Sequence, residues 1–197
     1  MVIMLVANPS IMSHYDDIII EIMCFADVPT LVRIKVVCST WKTLAAKAID
    51  YKLPPTGRKQ FTESIELYRA VRKYPIEANA EKLARVYGWP IGKWDVSGIT
   101  DFSNIFRNQR SFNEDIRRWN TSNAIRMNSM FSGASSFNMD ISIWDTSKVK
   151  NMRQMFFLAL SFNQDISSWD ISKVQSMESM FHGASSFIKD LSSWDIS

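Results

Sequence analysis

Few side chains in this sequence are placed to do chemistry. His14 and His182 are its two histidines, and Cys24 and Cys38 its two cysteines. A zinc site needs Cys and His at close, fixed spacings, and neither residue type provides them. His182 stands where other parts of the chain carry Ser132 and Phe157 in the same local context, which marks a variable surface position. No glycine-rich phosphate loop and no nucleophile elbow is present. Aspartate is the exception. Asp115, Asp140, Asp165 and Asp190 recur at a constant interval of 25 residues. A calcium ladder would use such a column, but that chemistry goes with a glycine-rich nonapeptide repeat, absent here. Serines and aspartates that recur so uniformly define no unique triad. The reading is a non-enzyme with no metal and no cofactor. What the aspartates require is a framework in which each carboxylate accepts backbone N–H or hydroxyl bonds. Asp165 and Asp170, with their neighbouring serines, suit turns of that kind.

The framework is a repeat. Trp94, Trp119, Trp144, Trp169 and Trp194 keep the same step of 25, as do Phe112, Phe137, Phe162 and Phe187. Ile116, Ile141, Ile166 and Leu191 form another column, and Phe106, Phe131, Phe156 and Phe181 a further one, beside Phe102, Met127, Met152 and Met177. A period of 20–50 residues means stacked units, each too small to bury its own apolar face. Like residues then lie over like, at the roughly 4.8 Å separation of paired strands.

Two elements are predicted within each unit. From Ser147, the apolar positions Val149, Met152, Phe156 and Ala159 fall at steps of three and four, one face of a short helix with Ser147 as its cap. In the next unit Ser172 and Gln175 have capping-box spacing. The words "FNQDIS" suit a short strand, pairing in parallel with its counterparts. Ile166 and Trp169 would face opposite sides of a straight strand, so inward packing of both requires a bend at Ser167 and Ser168. The sequence stops at "WDIS", within a unit; an uncovered stack would leave an open edge that invites association.

The words "SFNMDISIWDTSKVKNMRQMF" and "SFNQDISSWDISKVQSMESMF" resemble the BspA-like repeats of mycoplasma lipoproteins, which are related to leucine-rich repeats. The resemblance spans about residues 89–197, with "YGWPIGKWDVSGITDFSNIF" leading into the array. It implies a leucine-rich-repeat-like solenoid that binds other proteins.

The front end is different. In "DDIIIEIMCFADVPTLVRIKVVCSTWKTLA", apolar residues Ile18, Ile22, Phe25, Leu31, Ile34, Val37, Trp41 and Leu44 sit at helical steps, with a break near Asp27 and Pro29 and Thr30 as a cap. The order Asp17, Ile18, Ile22, Leu31, Ile34, then Val36, Val37, Cys38 and Trp41, resembles an F-box. His14 and Tyr15 replace that motif's usual Leu-Pro, and Ala26 its usual Leu. An F-box implies docking onto a Skp-type adaptor of a cullin-type ubiquitin ligase, through Ile18, Ile22, Leu31, Ile34, Val37, Cys38 and Trp41.

The expected architecture is α+β: a small all-α F-box-like domain at 12–50, a linker at 51–60 containing "LPPTG", a helical N-terminal cap at 61–90, and a solenoid at 91–197 of four units and the start of a fifth. In the cap, Ile65, Tyr68 and Val71 with Leu67 are at helical spacing, and Gly88 stops the second helix.

Charge and composition bound the partners. The formal charge is +3. Its basic excess lies between Lys42 and Lys93 without the aromatic platforms of a nucleic-acid surface. Two isolated cysteines suit a reducing compartment. "MVIMLVANPS" has no basic residue ahead of its apolar run, and no run reaches the ~20 residues of a membrane span. The expectation is a cytoplasmic or nuclear protein with two partners, an adaptor and a target protein, and no nucleic acid. Its function would be to recruit substrate to the ligase; the alternative is a surface adhesin or structural repeat protein. The target should meet side chains that vary between units: Glu114, Met139, Gln164 and Lys189, with Arg117, Ser142, Ser167 and Ser192, and around the next turn Arg118, Ile143, Ser168 and Ser193.

Overall fold

The computed structural model describes residues 58–75 and 79–194. The F-box-like helices, the seven adaptor-facing residues and most of the linker lie outside the described residues.

Two helices come first: α1, Ser64–Lys73, and α2, Ala80–Tyr87. α1 buries Leu67, Ala70 and Val71, one stripe at steps of three and four, and Tyr74 just beyond it continues the stripe. Ile65, expected on the inner face, is instead 53% exposed. The stripe that wins is the one facing the aromatic cluster below. α2 ends at Gly88, whose φ of 91° suits glycine and whose N–H returns to the Ala84 carbonyl at 3.0 Å. A Cβ there would also meet the Arg58 guanidinium at 2.9 Å. Under the helices, Phe61 stacks on Tyr87 at 4.1 Å and Tyr74 on Trp89 at 4.6 Å, while Trp94 meets Tyr74 edge-on. This cluster joins the helical pair to the first repeat.

From Trp94 onward the chain forms coils of 25 residues that lie on one another. Equivalent rings face across each junction. Phe106, Phe131, Phe156 and Phe181 stack in file with centroids 5.3, 5.6 and 5.7 Å apart. Phe112, Phe137, Phe162 and Phe187 form a parallel file at 5.9, 6.0 and 5.8 Å. Within a coil the files touch, Phe131 on Phe137 and Phe156 on Phe162 both at 3.9 Å. Each fully buried ring contributes roughly 1.5–3 kcal/mol through burial, and no coil could enclose these rings alone.

Among the described residues the predicted helix and strand of each unit are absent. Among described residues the array contains only isolated parallel bridges, linking Asp101, Arg126, Asn151 and Ser176 in succession. The hydrogen bonds give the reason. Along 127–133 the amides of Met127, Ser129, Phe131 and Gly133 donate to carbonyls of the next coil, 24 positions on, at 2.7–2.9 Å. The intervening amides of Met130, Ser132 and Ala134 donate three residues back. Residues 152–159 repeat the alternation. Half the amides are thus drawn to the neighbouring coil, which leaves a run of turns where a helix would need all of them. Left-handed residues permit the alternation: Asn104, Ser129, Gln154 and Ser179 occupy one such column, and Asn108, Gly133, Leu158 and Gly183 a second. Ser147 and Ser172 therefore cap no helix; each donates its N–H to the preceding Asp145 or Asp170 carboxylate at 2.9 Å. Gln175 closes no capping box, and its N–H donates to the Lys150 carbonyl.

The inward residues were nonetheless those named from the sequence. Val149, Met152, Phe156 and Ala159 are all buried. Ile166 and Trp169 are buried too, and the chain turns at Ser167 and Ser168 with the Trp169 N–H on the Ile166 carbonyl at 3.1 Å.

Candidate functional site

The outer surface of the coils is built on two kinds of internal ladder. Asn113 and Asn138 each accept, through Oδ1, the backbone N–H of the residue one coil on, Asn138 and Asn163, at 2.9 Å; Asn163 does the same for Ile188 at 3.2 Å. Asp115, Asp140, Asp165 and Asp190 each accept the N–H two residues on, from Arg117, Ser142, Ser167 and Ser192. These turns answer the problem a column of carboxylates poses. The backbone N–H and hydroxyl of Ser142 hold the Asp140 carboxyl below its ordinary value, and Ser167 and Ser192 do so for Asp165 and Asp190. Burial raises Asp115, but the Arg117 guanidinium and N–H outweigh it and the net shift is downward. No group of three or more His, Cys, Asp or Glu among the described residues is gathered for a metal ion.

The positions expected to face a target are unequally free. Arg117 is exposed and pairs with Asp115 at 3.1 Å. Lys189 is exposed beside Asp165, Ser167 and Ser192 in a shallow groove. Met139 packs against the core. Gln164 Nε2 donates to the Asn138 carbonyl and Oδ1, both at 2.9 Å. Ser142 binds Asp140 through its hydroxyl and accepts from Ser168 through its carbonyl. The Ser167 carbonyl accepts from Ser193. Glu114 is half-buried, near enough to Tyr74 to join burial in raising that phenol. Arg118 and Ile143 are exposed.

A second variable corner was seen only in part from the sequence, which marked its Ser132, Phe157 and His182 position as variable surface. It carries Arg107 and Arg110 in the first coil, Ser132 and Ser135 in the second, Phe157, Leu158 and Leu160 in the third, and His182 and Ser185 in the fourth. Its signal was the break in the Asn108, Gly133, Gly183 column at Leu158, which matters only once that column is known to be left-handed.

On the helical pair, α1 and α2 enclose an open groove lined by Ile65, Arg69, Lys73, Lys82, Leu83 and Val86. At its rim Glu66 accepts from Lys59 and from the Tyr87 hydroxyl. Burial, with Glu66 adding to it, pushes the Tyr87 phenol up to about 12. No helix among the described residues is long and apolar enough to cross a membrane.

Stacked coils with a fixed 25-residue register are what a family comparison has to account for. The family model described as "Mycoplasma protein of unknown function, DUF285" matches residues 77–197. The chain belongs to this family. An F-box domain model matches residues 13–53. Both resemblances drawn from the sequence are borne out. No curated protein and no solved structure matches the chain. The DUF285 region thus begins between α1 and α2 and takes in α2 and every coil, while the F-box region precedes the first described residue.

Proposed function

We propose that this protein is the substrate-recruiting subunit of a cullin-type ubiquitin ligase, acting by binding and not by catalysis. The observation that carries the reading is the joining, in one chain, of an F-box at 13–53 and a DUF285 array at 77–197. The F-box at its front, taken as a helical domain at 12–50, docks on a Skp-type adaptor by setting apolar side chains into the partner's groove. Ile18, Ile22, Leu31, Ile34, Val37, Cys38 and Trp41 are divided between that contact and the domain's own packing. A linker at 51–60 and a helical cap at 61–90 lead to a leucine-rich-repeat-like solenoid at 91–197, which holds the target protein. The working compartment is the cytoplasm or nucleus. Fixed packing inside and free variation outside is the arrangement that repeat proteins use for recognition.

The test is co-purification of the full chain with a purified Skp-type adaptor and a cullin. Wild type should be retained, and Trp41→Ala with Leu31→Asp should abolish retention without loss of the array's circular dichroism. Unchanged adaptor binding by the folded double variant would overturn the adaptor contact. The DUF285 match also favours a second reading, a surface or adhesion-type repeat protein. Recovery of the protein outside the cell, with no adaptor bound, would select it.

A further inference from the structure

The third coil breaks a rule that the others keep. In the second left-handed column the residues are Asn108, Gly133, Leu158 and Gly183. Asparagine and glycine adopt that conformation readily; leucine at φ 54° does so at a cost of roughly 1–2 kcal/mol. Packing compensates only in part: the side chain lies over Gly183, where a Cβ would stand 2.5 Å from its Cδ2, yet Leu158 stays 45% exposed, as does Leu160 two residues on. Phe157, between core and surface, stacks on His182 at 5.2 Å. The adjoining coils hold Ser132, Gly133 and Ser135 on one side and His182, Gly183 and Ser185 on the other. The three columns are in register, because Gly133 N–H donates to the Phe157 carbonyl and Leu158 N–H to that of His182. The outcome is an apolar ridge with the low Ser132, Gly133 and Ser135 shelf on one side, leaning across Gly183 beside the stacked His182 on the other. Strain kept at an exposed position points to function before stability.

Charge fixes the other end of this surface. Two coil steps away, about 10 Å at strand-like spacing, the same columns present Arg107 and Arg110, both exposed. Among the described residues the Arg107 guanidinium reaches only the neutral Asn104 amide, at 3.3 Å, and neither arginine forms an ion pair. These columns hold no acidic residue, so a second copy offering the same surface brings no carboxylate to the arginines. A nucleic acid would satisfy the arginines and leave the leucines in water.

We propose that this corner is the target-docking site, and that it takes a protein segment with adjacent apolar side chains for Phe157, Leu158 and Leu160 and an acidic residue for Arg107 and Arg110. The proposal rests on the reading of the array as a target-binding module. It places the contact at the turn corner and away from Gln164, whose side chain bonds the coil before it, and from Ser142 and Ser167, whose hydroxyls are held by the aspartates of their own coils.

The test uses the full chain as bait for a phage-displayed library of random peptides about twelve residues long. Selected peptides should combine apolar and acidic residues. Synthetic versions should lose at least about tenfold in affinity with Leu158→Gly combined with Leu160→Ser, and a few-fold, in a salt-dependent way, with Arg107→Ser combined with Arg110→Ser. Each substitution installs a residue that a neighbouring coil carries, which keeps the fold. Peptides indifferent to these changes but lost on Lys189→Ala or Arg117→Ala would overturn the assignment. So would a failure to enrich any sequence, or a self-association in ultracentrifugation that Leu158→Gly with Leu160→Ser abolishes. Adaptor binding is measured on the same variants: its loss in wild type alone defeats the ligase reading and leaves the peptide result standing.

Discussion

Trp169 donates its indole N–H to the carbonyl of Ile141, 3.1 Å away and 28 positions back. Trp144 bears the same relation to Ile116 at 3.3 Å, and Trp119 to Ile91 at 2.9 Å. The bond satisfies a buried donor and fixes each of these three rings against the backbone of the coil before it, a bond that Trp194 does not make. It is the polar half of a contact whose apolar half is the stacked phenylalanines.

Removing that N–H separates the two halves. Trp144→Phe keeps a ring against Phe131 but leaves the Ile116 carbonyl without its indole donor. The expected loss is about 1–3 kcal/mol. Trp144→Ala, which also opens a cavity, should cost about 3–5 kcal/mol. Urea unfolding followed by circular dichroism gives both numbers, and a Trp144→Phe variant as stable as wild type would show that the hydrogen bond contributes nothing.

The asparagine ladder should be sensitive to position. Asn138→Leu removes the acceptor for the Asn163 N–H and for Gln164 Nε2, in the middle of the stack. Asn163→Leu frees the N–H of Ile188, a residue 82% exposed, where water can replace the lost acceptor. Asn138→Leu is therefore the more damaging, by roughly 1 kcal/mol or more. Thermal unfolding of the two variants side by side decides the order.

The left-handed column predicts opposite signs for two small changes. Gly133→Ala puts a Cβ 2.5 Å from Asn108 Oδ1 at a φ of 69°, and should lower stability by about 1–2 kcal/mol. Leu158→Gly relieves a strained residue and should raise stability by up to about 1 kcal/mol, the relief being offset in part by the lost contact over Gly183 and the freer unfolded chain. Denaturant midpoints measure both. A stabilised Leu158→Gly that has lost peptide binding would be the trade expected of a functional residue.

The aspartate turns set the acid limb of the stability curve. The N–H and hydroxyl of Ser142, Ser167 and Ser192 hold Asp140, Asp165 and Asp190 below the ordinary value of 3.8. A carboxylate depressed in the folded state stabilises above its unfolded value, and the contribution fades as pH falls through the depressed one. Stability should thus be steady above about pH 5 and decline below about pH 4. Asn120 already serves such a turn, accepting from the Ser122 N–H at 3.1 Å. Replacing Asp140, Asp165 and Asp190 together by Asn should therefore retain the fold at neutral pH and flatten the acid limb. An acid limb unchanged in the triple variant would mean that these carboxylates are not its source.

The sequence by itself determined the register and the inside of this protein. Tryptophan, phenylalanine and isoleucine at one unbroken interval can be buried only against their own copies, so the stack and its core residues follow from spacing and hydrophobicity alone. The path of the backbone was decided by tertiary structure. Val149, Met152 and Phe156 have helical spacing, yet their segment is a run of turns, because alternate amides find acceptors in the coil above. Local pattern records which side chains turn inward; it does not record a hydrogen-bond partner 24 residues away. The same limit explains the surface. Gln164 looked free because it varies, and the stack employs it; Leu158 looked like one more apolar residue until its neighbours in the column proved to be glycine and asparagine. A side chain's freedom depends on what stands above and below it, and only the assembled coils settle that.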